Sequence, residues 1–155
     1  MATIELSQQH ERESLIDRRF KTLMEFIKLM NSNVRLTEDD IFNLFYKQAI
    51  QLINAENLYI ALHNEHENTL RFPLAFRNNQ RINIPSRQAQ KGMVEEVIRA
   101  GQTISMPTKT LWLEWHQQSG GVAKMETPPA SWLGIPMQVE KKTLGVIALY
   151  HPVKE

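Results

Sequence analysis

The chain has 155 residues, 42% of them hydrophobic, with 18 basic and 17 acidic side chains and a formal net charge of +1. Length and hydrophobic content fit a domain with its own core and exclude a disordered segment. The charge balance carries no electrostatic footprint for nucleic acid or an anionic membrane, and the absence of cysteine excludes disulfides, thiol redox chemistry and cysteine nucleophiles.

Aspartate is confined to Asp17, Asp39 and Asp40, so the body of the domain offers no acidic cluster to hold Mg²⁺ beside a phosphate. No segment approaches the roughly 20 apolar residues of a membrane span. The polar start, MATIELSQQHERES, lacks a secretory apolar region. A cytoplasmic location is the expectation.

Residues 12–30 read as a helix. Ile16, Phe20, Leu23, Ile27 and Met30 recur at alternating spacings of 4 and 3, a heptad seam. Such a stripe packs either on the helix's own domain or on a second copy of the chain, and a homodimer through this helix is the sharper expectation. Thr37 and Asp40 form a capping box that opens a helix to about Asn54. Its expected buried face is Ile41, Leu44, Phe45, Ala49, Leu52 and Ile53.

From residue 57 the period changes. NLYIALHN (57–64) reads as a central strand, and NEHEN (64–68) as a turn. TLRFPLAFRN (69–78) alternates, placing Leu70, Phe72, Leu74 and Phe76 on one face; Pro73 implies an edge or a bulge. Asn78-Asn79 predicts a left-handed turn into a single strand over 80–85. QKGMVEEVIRAG (90–101) predicts a helix with Met93, Val94, Val97 and Ile98 inward and Gly101 as its terminator. A short strand over 102–107 follows, then a helical turn or two over 108–121. The last pair of strands, SWLGIPMQVEKKTLGVIALYHP (131–152), turns at a Lys-Lys tip. Gly134 and Gly145 weaken these strands, and the expectation is that they let the helix of 37–54 approach the backbone.

Three stretches, NLYIALHNEHENTLRFPLAFRNNQRI (57–82), KGMVEEVIRAGQTISMP (91–107) and PPASWLGIPMQVEKKTLGVIALYHP (128–152), resemble the GAF domains of bacterial sensor histidine kinases and related multidomain signalling proteins. The resemblance covers about 35–152. It implies an α+β, profilin- or PAS-like fold. A central antiparallel sheet of five to six strands would carry the N-terminal helices on one face and short helices and loops over a pocket on the other. It divides the chain into a linker or dimerisation helix, 1–34, and a GAF domain, 35–155. The family's closing helix after the last strand is missing, so the chain reads as a fragment with an attached output domain, in a two-component histidine kinase or a similar protein.

By the resemblance, Trp112, Trp115 and His116 lie over the pocket, where indole area and N–H donors suit an aromatic or heterocyclic ligand. The same stripe at helical spacing also suits plain core packing. Tyr59, Arg77 and Trp132 complete the candidate ligand set, although a tryptophan opening a strand more often only packs. Arg71, Arg77, Arg81 and Arg87 cluster in the second and third strands, with Arg71 and Arg77 on one strand face by parity. They either hold a carboxylate or phosphate or form a solvated outer face. His63 and His66 in H-x-x-H suggest a hairpin tip rather than a zinc site, and no metal is expected.

No nucleophile elbow or phosphate-binding glycine loop occurs, so no catalytic residue is assigned. Three functional classes remain. The leading one is a sensory or relay domain that binds a small molecule. The second is a ligand-free dimerisation or spacer module. The third is an enzyme, but the free-methionine-sulfoxide reductases among GAF-like proteins use cysteines, and none is present. Covalent bilin attachment fails for the same reason. The cyclic-nucleotide signature needs an aspartate that does not exist beyond residue 40. No cofactor is assigned; a haem or other non-covalent ligand stays open, with His116 the first haem ligand to test. Neither nucleic acid nor membrane is an expected partner.

Overall fold

The computed structural model describes residues 35–53, 56–120 and 128–152, with positions 14, 17, 19–25, 27, 28 and 31. Two compact units arise, Met1–Asn54 and Ala55–Glu155.

In the first unit the described positions between 14 and 28 are helical (α1). Phe20, Leu23 and Ile27 of the seam are 64%, 55% and 40% exposed, whereas Thr22 is buried. Ile16 and Met30 lie outside the described residues. The second helix, α2 (Glu38–Leu52), begins at the capping box. The Asp40 N–H donates to the Thr37 hydroxyl at 3.2 Å, and the Thr37 N–H donates to the Asp40 carboxylate at 2.9 Å. Hydrogen bonds from the Thr37 hydroxyl and N–H hold the Asp40 carboxyl below its ordinary pKa. Glu38, Asp39 and Asp40 put negative charge on the helix's positive end. The buried side chain here is Tyr46. Ile41, Leu44, Phe45 and Ala49 are half-buried, and Ile53 lies exposed beyond the helix.

The second unit is built on a seven-stranded sheet. Its strands are β1 (Leu58–Asn64), β2 (Thr69–Arg77), β3 (Gln80–Arg81), β4 (Ile84–Gln88), β5 (Ile104–Met106), β6 (Ser131–Val139) and β7 (Lys142–His151). The order is β3-β2-β1-β7-β6-β5, with β4 paired to β2 beside this path, and every pairing is antiparallel. The expected five or six strands become seven because the run predicted over 80–85 breaks into β3 and β4. Asn78 and Asn79 take φ of 51° and 60° in the turn before β3, as short polar side chains permit.

The β2 strand corrects the alternation read from sequence. Ile60 pairs with Leu74, but Leu62 pairs with Arg71, so the register slips beside Phe72-Pro73. Proline has no N–H for the ladder, and the extra residue is absorbed as a bulge. Leu70 and Phe72 therefore share the face of Tyr59 and Ala61, while Leu74 shares the face of Ile60. The same slip places Arg71 and Arg77 on opposite faces, so parity across the bulge misleads.

Two helices follow the β4 strand. The first, α3 (Met93–Ala100), buries Met93, Val94 and Val97 and ends at Gly101 with φ of 61°. The second, α4 (Lys109–Ser119), is capped by the Thr108 hydroxyl and closed by Gly120 in the left-handed region. At 11 residues α4 is longer than the turn or two expected. One core cluster joins Ala61, Leu70, Val146, Ala148 and Trp132 of the sheet to Met93, Val94 and Val97 of α3 and Trp112 of α4. The β6–β7 turn is Glu140-Lys141, with Glu140 at φ 55°, so Lys142 is not a loose tip: it pairs with Val139 and its Nζ lies 2.7 Å from Glu65.

Close neighbours within the second unit confine the two glycines. A Cβ on Gly134 would strike the Trp132 ring and sit 2.9 Å from Val97 Cγ2. A Cβ on Gly145 would strike the Ala61 carbonyl oxygen and sit 2.9 Å from Met137 Cε. The nearest atoms thus belong to the hairpin itself, α3 and β1.

Candidate functional site

Antiparallel pairing lines up Tyr59 of β1, Ala148 of β7 and Gly134 of β6 in one row across the sheet. The two small residues leave a shallow trough. The Trp132 ring lies over Gly134 in that trough, and its Nε1–H donates to Tyr59 Oη at 3.1 Å. Tyr59 also meets Phe72 edge-on at 5.9 Å between centroids and Tyr150 at 6.2 Å. Burial pushes the Tyr59 phenol up to about 12, against a smaller opposing effect of the Trp132 hydrogen bond, so the hydroxyl keeps its proton.

Above this floor, α4 contributes an aromatic wall. The His116 imidazole stacks on the Trp112 ring at 3.6 Å and 25°, and Trp115 meets it edge-on at 4.8 Å. His116 Nδ1 lies 3.1 Å from the Trp112 carbonyl oxygen. That oxygen can only accept, so Nδ1 carries the proton and Nε2 is left free as an acceptor in the neutral ring.

The rim is made by β4 and the start of α3. The Arg87 guanidinium reaches both Glu95 oxygens, at 2.5 and 3.3 Å, and sits 5.9 Å from the Phe72 centroid. The Gln90 N–H donates to the same carboxylate at 2.8 Å. Burial alone would raise the Glu95 pKa, but the Arg87 and Gln90 hydrogen bonds outweigh it and hold the carboxyl below its usual value.

These parts enclose a pocket of about 320 Å³. Tyr59, Phe72, Trp112, His116 and Trp132 form its aromatic walls, and Arg87, Lys91 and Glu95 its charged mouth. Of the sequence candidates, Tyr59, Trp112, His116 and Trp132 converge here. Trp115 turns to an adjacent cleft of about 260 Å³ with Ser119 and Arg99. Arg77 lies at the end of β2, its Nε 3.5 Å from Tyr150 Oη, and does not line the pocket. A wider, shallower concavity of about 690 Å³ adjoins the pocket through Gln90, Lys91 and Glu95. Sequence reasoning missed Phe72 and Glu95 as pocket residues and named Arg87 only within an arginine cluster, of which it alone lines the pocket. Arg87 and Glu95 stand eight apart across a loop, a spacing that no helix or strand period singles out. Among the described residues no group of three or more His, Asp or Glu side chains gathers as for a metal, and no helix is long and apolar enough to cross a membrane.

The family model described as GAF domain matches residues 35–155. The chain belongs to the GAF family. Solved GAF structures share its architecture. That of the phosphoenolpyruvate-protein phosphotransferase of Acinetobacter aligns with a TM-score of 0.61 at 16% identity, covering 88% of this chain and 78% of that one. Residues 122 to 287 of a methyl-accepting chemotaxis protein align with a TM-score of 0.61 at 12% identity, covering 87% and 85%. The GAF domain of a two-component sensor histidine kinase from Bacillus halodurans aligns with a TM-score of 0.56 at 18% identity, covering 78% and 80%. Identities this low carry the fold and no ligand. No curated protein shows a significant sequence match to the chain. GAF domains are generally regulatory and typical of signalling proteins, and the aromatic pocket lies between the GAF sheet and its two short helices.

Proposed function

We propose that this GAF domain is a sensory module, without catalysis of its own, that binds a small molecule and relays its presence to an output domain in a signal-transduction protein such as a histidine kinase. The observation that carries this reading is the convergence of Tyr59, Trp112, His116 and Trp132, from three distant stretches of sequence, on one pocket of about 320 Å³. Core aromatics packed only for stability close against each other; here they leave a hollow with polar groups at its mouth, the usual form of a ligand site. Occupancy would act by favouring one of two arrangements of the elements at the pocket's mouth, α3 and the off-path strand β4.

The chain is further read as 1–34 and 35–155, with the first segment dimerising through Phe20, Leu23 and Ile27, whose exposure of an apolar stripe supports that role. Ile16 and Met30 would extend the same stripe. A cytoplasmic site of action accords with this reading.

Untargeted mass spectrometry on material extracted from purified protein tests the sensory role. The expected result is a co-purifying small molecule whose retention falls when Trp112 is replaced by Ala. A ligand-free spacer is the second reading, favoured by the Trp132 ring already filling the notch at Gly134. Empty extracts, together with no thermal shift across a metabolite panel, would establish the spacer instead.

A further inference from the structure

The pocket's polar groups include more donors than acceptors. Trp112 is 4% exposed and lines the pocket, bringing an indole N–H that can only donate. Tyr59 Oη accepts from Trp132 at 3.1 Å, so its own proton remains to be given. Burial keeps that phenol protonated far above neutral pH, which makes it a permanent donor. The pocket's acid, Glu95, is already engaged by Arg87 and by the Gln90 N–H. With Glu95 and Arg87 cancelling, Lys91 leaves the mouth one positive charge in excess. His116 offers an acceptor when neutral and a donor when protonated.

The walls state the rest. Phe72, Tyr59, Trp112 and Trp132 are flat rings, favouring offset or edge-on contact with another ring. A volume of about 320 Å³ stands at the low end of ligand pockets, room for one or two fused rings. We infer that the pocket selects a small planar aromatic or heteroaromatic carboxylate, its ring between the aromatic walls and its carboxylate on the Tyr59 and Trp112 donors beneath Lys91. A carboxylate can accept from these donors beside the positive mouth, whereas an ammonium would meet donors and positive charge. This inference rests on the reading of the pocket as a ligand site.

Isothermal titration calorimetry on the full chain with 2-naphthoate, 2-naphthamide and 2-naphthylmethylamine tests it. These probes share a ring system and differ in charge and hydrogen-bond sense. The expected order is the carboxylate about tenfold tighter than the amide, with no measurable binding of the amine. Tyr59→Phe, whose fold is checked by circular dichroism, should bring the carboxylate close to the amide. Equal or tighter binding of the amide or amine by the wild type overturns the carboxylate assignment while leaving the pocket a ligand site. Binding of none of the three overturns both. Because the wild-type series decides the matter, the outcome does not depend on the variant's folding.

Discussion

Trp132 donates its indole N–H to Tyr59 Oη across the intervening strand β7, over 73 residues of sequence. The bond spans the trough above Ala148 and Gly134 and ties the pocket floor to β1 and β6 at once. Tyr59→Phe should cost about 1 kcal/mol near neutral pH, because a mostly buried indole N–H loses its acceptor.

The same tyrosine gives an alkaline signature. Its folded-state pKa stands above the unfolded one, so its contribution is intact below pH 10 and is lost as pH rises from 10.0 to about 12. The loss is on the order of 2 kcal/mol. Urea denaturation from pH 8 upward should show wild type losing stability more steeply than Tyr59→Phe above pH 10. Parallel curves would mean that Tyr59 ionises freely in the folded state.

The Arg87–Glu95 pair behaves oppositely at the acid end. The Glu95 pKa is lowered, so the pair's stabilisation is present above the ordinary value of 4.5 and disappears as pH falls through the depressed folded value. Arg87 is 41% exposed and Glu95 13%, so solvent screens the pair and its worth is about 1 kcal/mol. Glu95→Gln should lower stability at pH 7 by about that much and flatten the acid limb of a stability profile. An unchanged limb would remove Glu95 from the account.

The glycines of the last two strands differ in what confines them. At Gly134 the obstacles are side chains, Trp132 and Val97, which can shift; at Gly145 one obstacle is the Ala61 carbonyl oxygen, fixed in the sheet. Gly134→Ala should cost about 1 kcal/mol and displace the Trp132 ring. Gly145→Ala should cost more, toward about 3 kcal/mol. Thermal melts of both variants check the order, and wild-type melting of Gly145→Ala would refute it.

The proposed dimerisation through α1 predicts that Phe20→Glu with Leu23→Glu gives monomers in sedimentation, since charge on the exposed apolar stripe cannot be buried without a partner. A wild-type chain already monomeric at high micromolar concentration would eliminate the interface.

Much of the fold was legible because its signals are local. The Thr37–Asp40 box, the Asn78-Asn79 turn and the Gly101 terminator each depend on residues a few positions apart, and each appears where the local chemistry puts it. The β2 faces were misread because one bulge at Pro73 inverts every position beyond it. Of the residues named from chemical type and the family resemblance, Tyr59, Trp112, His116 and Trp132 line the pocket, and Arg87 had entered only within an arginine cluster. Phe72 and Glu95 were not named for it, since Phe72 read as strand core and an ion pair across a loop leaves no periodic trace.

Sequence alone carried the family resemblance, the element order apart from the split of 80–85 into β3 and β4, the caps at Thr37 and Gly101, and the chemistry that no cysteine and no late aspartate can support. The caps and the exclusions follow from residue type and short-range spacing, which tertiary contacts do not alter. Only the tertiary structure decided that Tyr59, Ala148 and Gly134 form one row, that Trp132 lies across it, and that Arg87 spends its charge on Glu95. Strand register and side-chain direction set those contacts, and both depend on partners tens of residues away whose pairing no local pattern encodes.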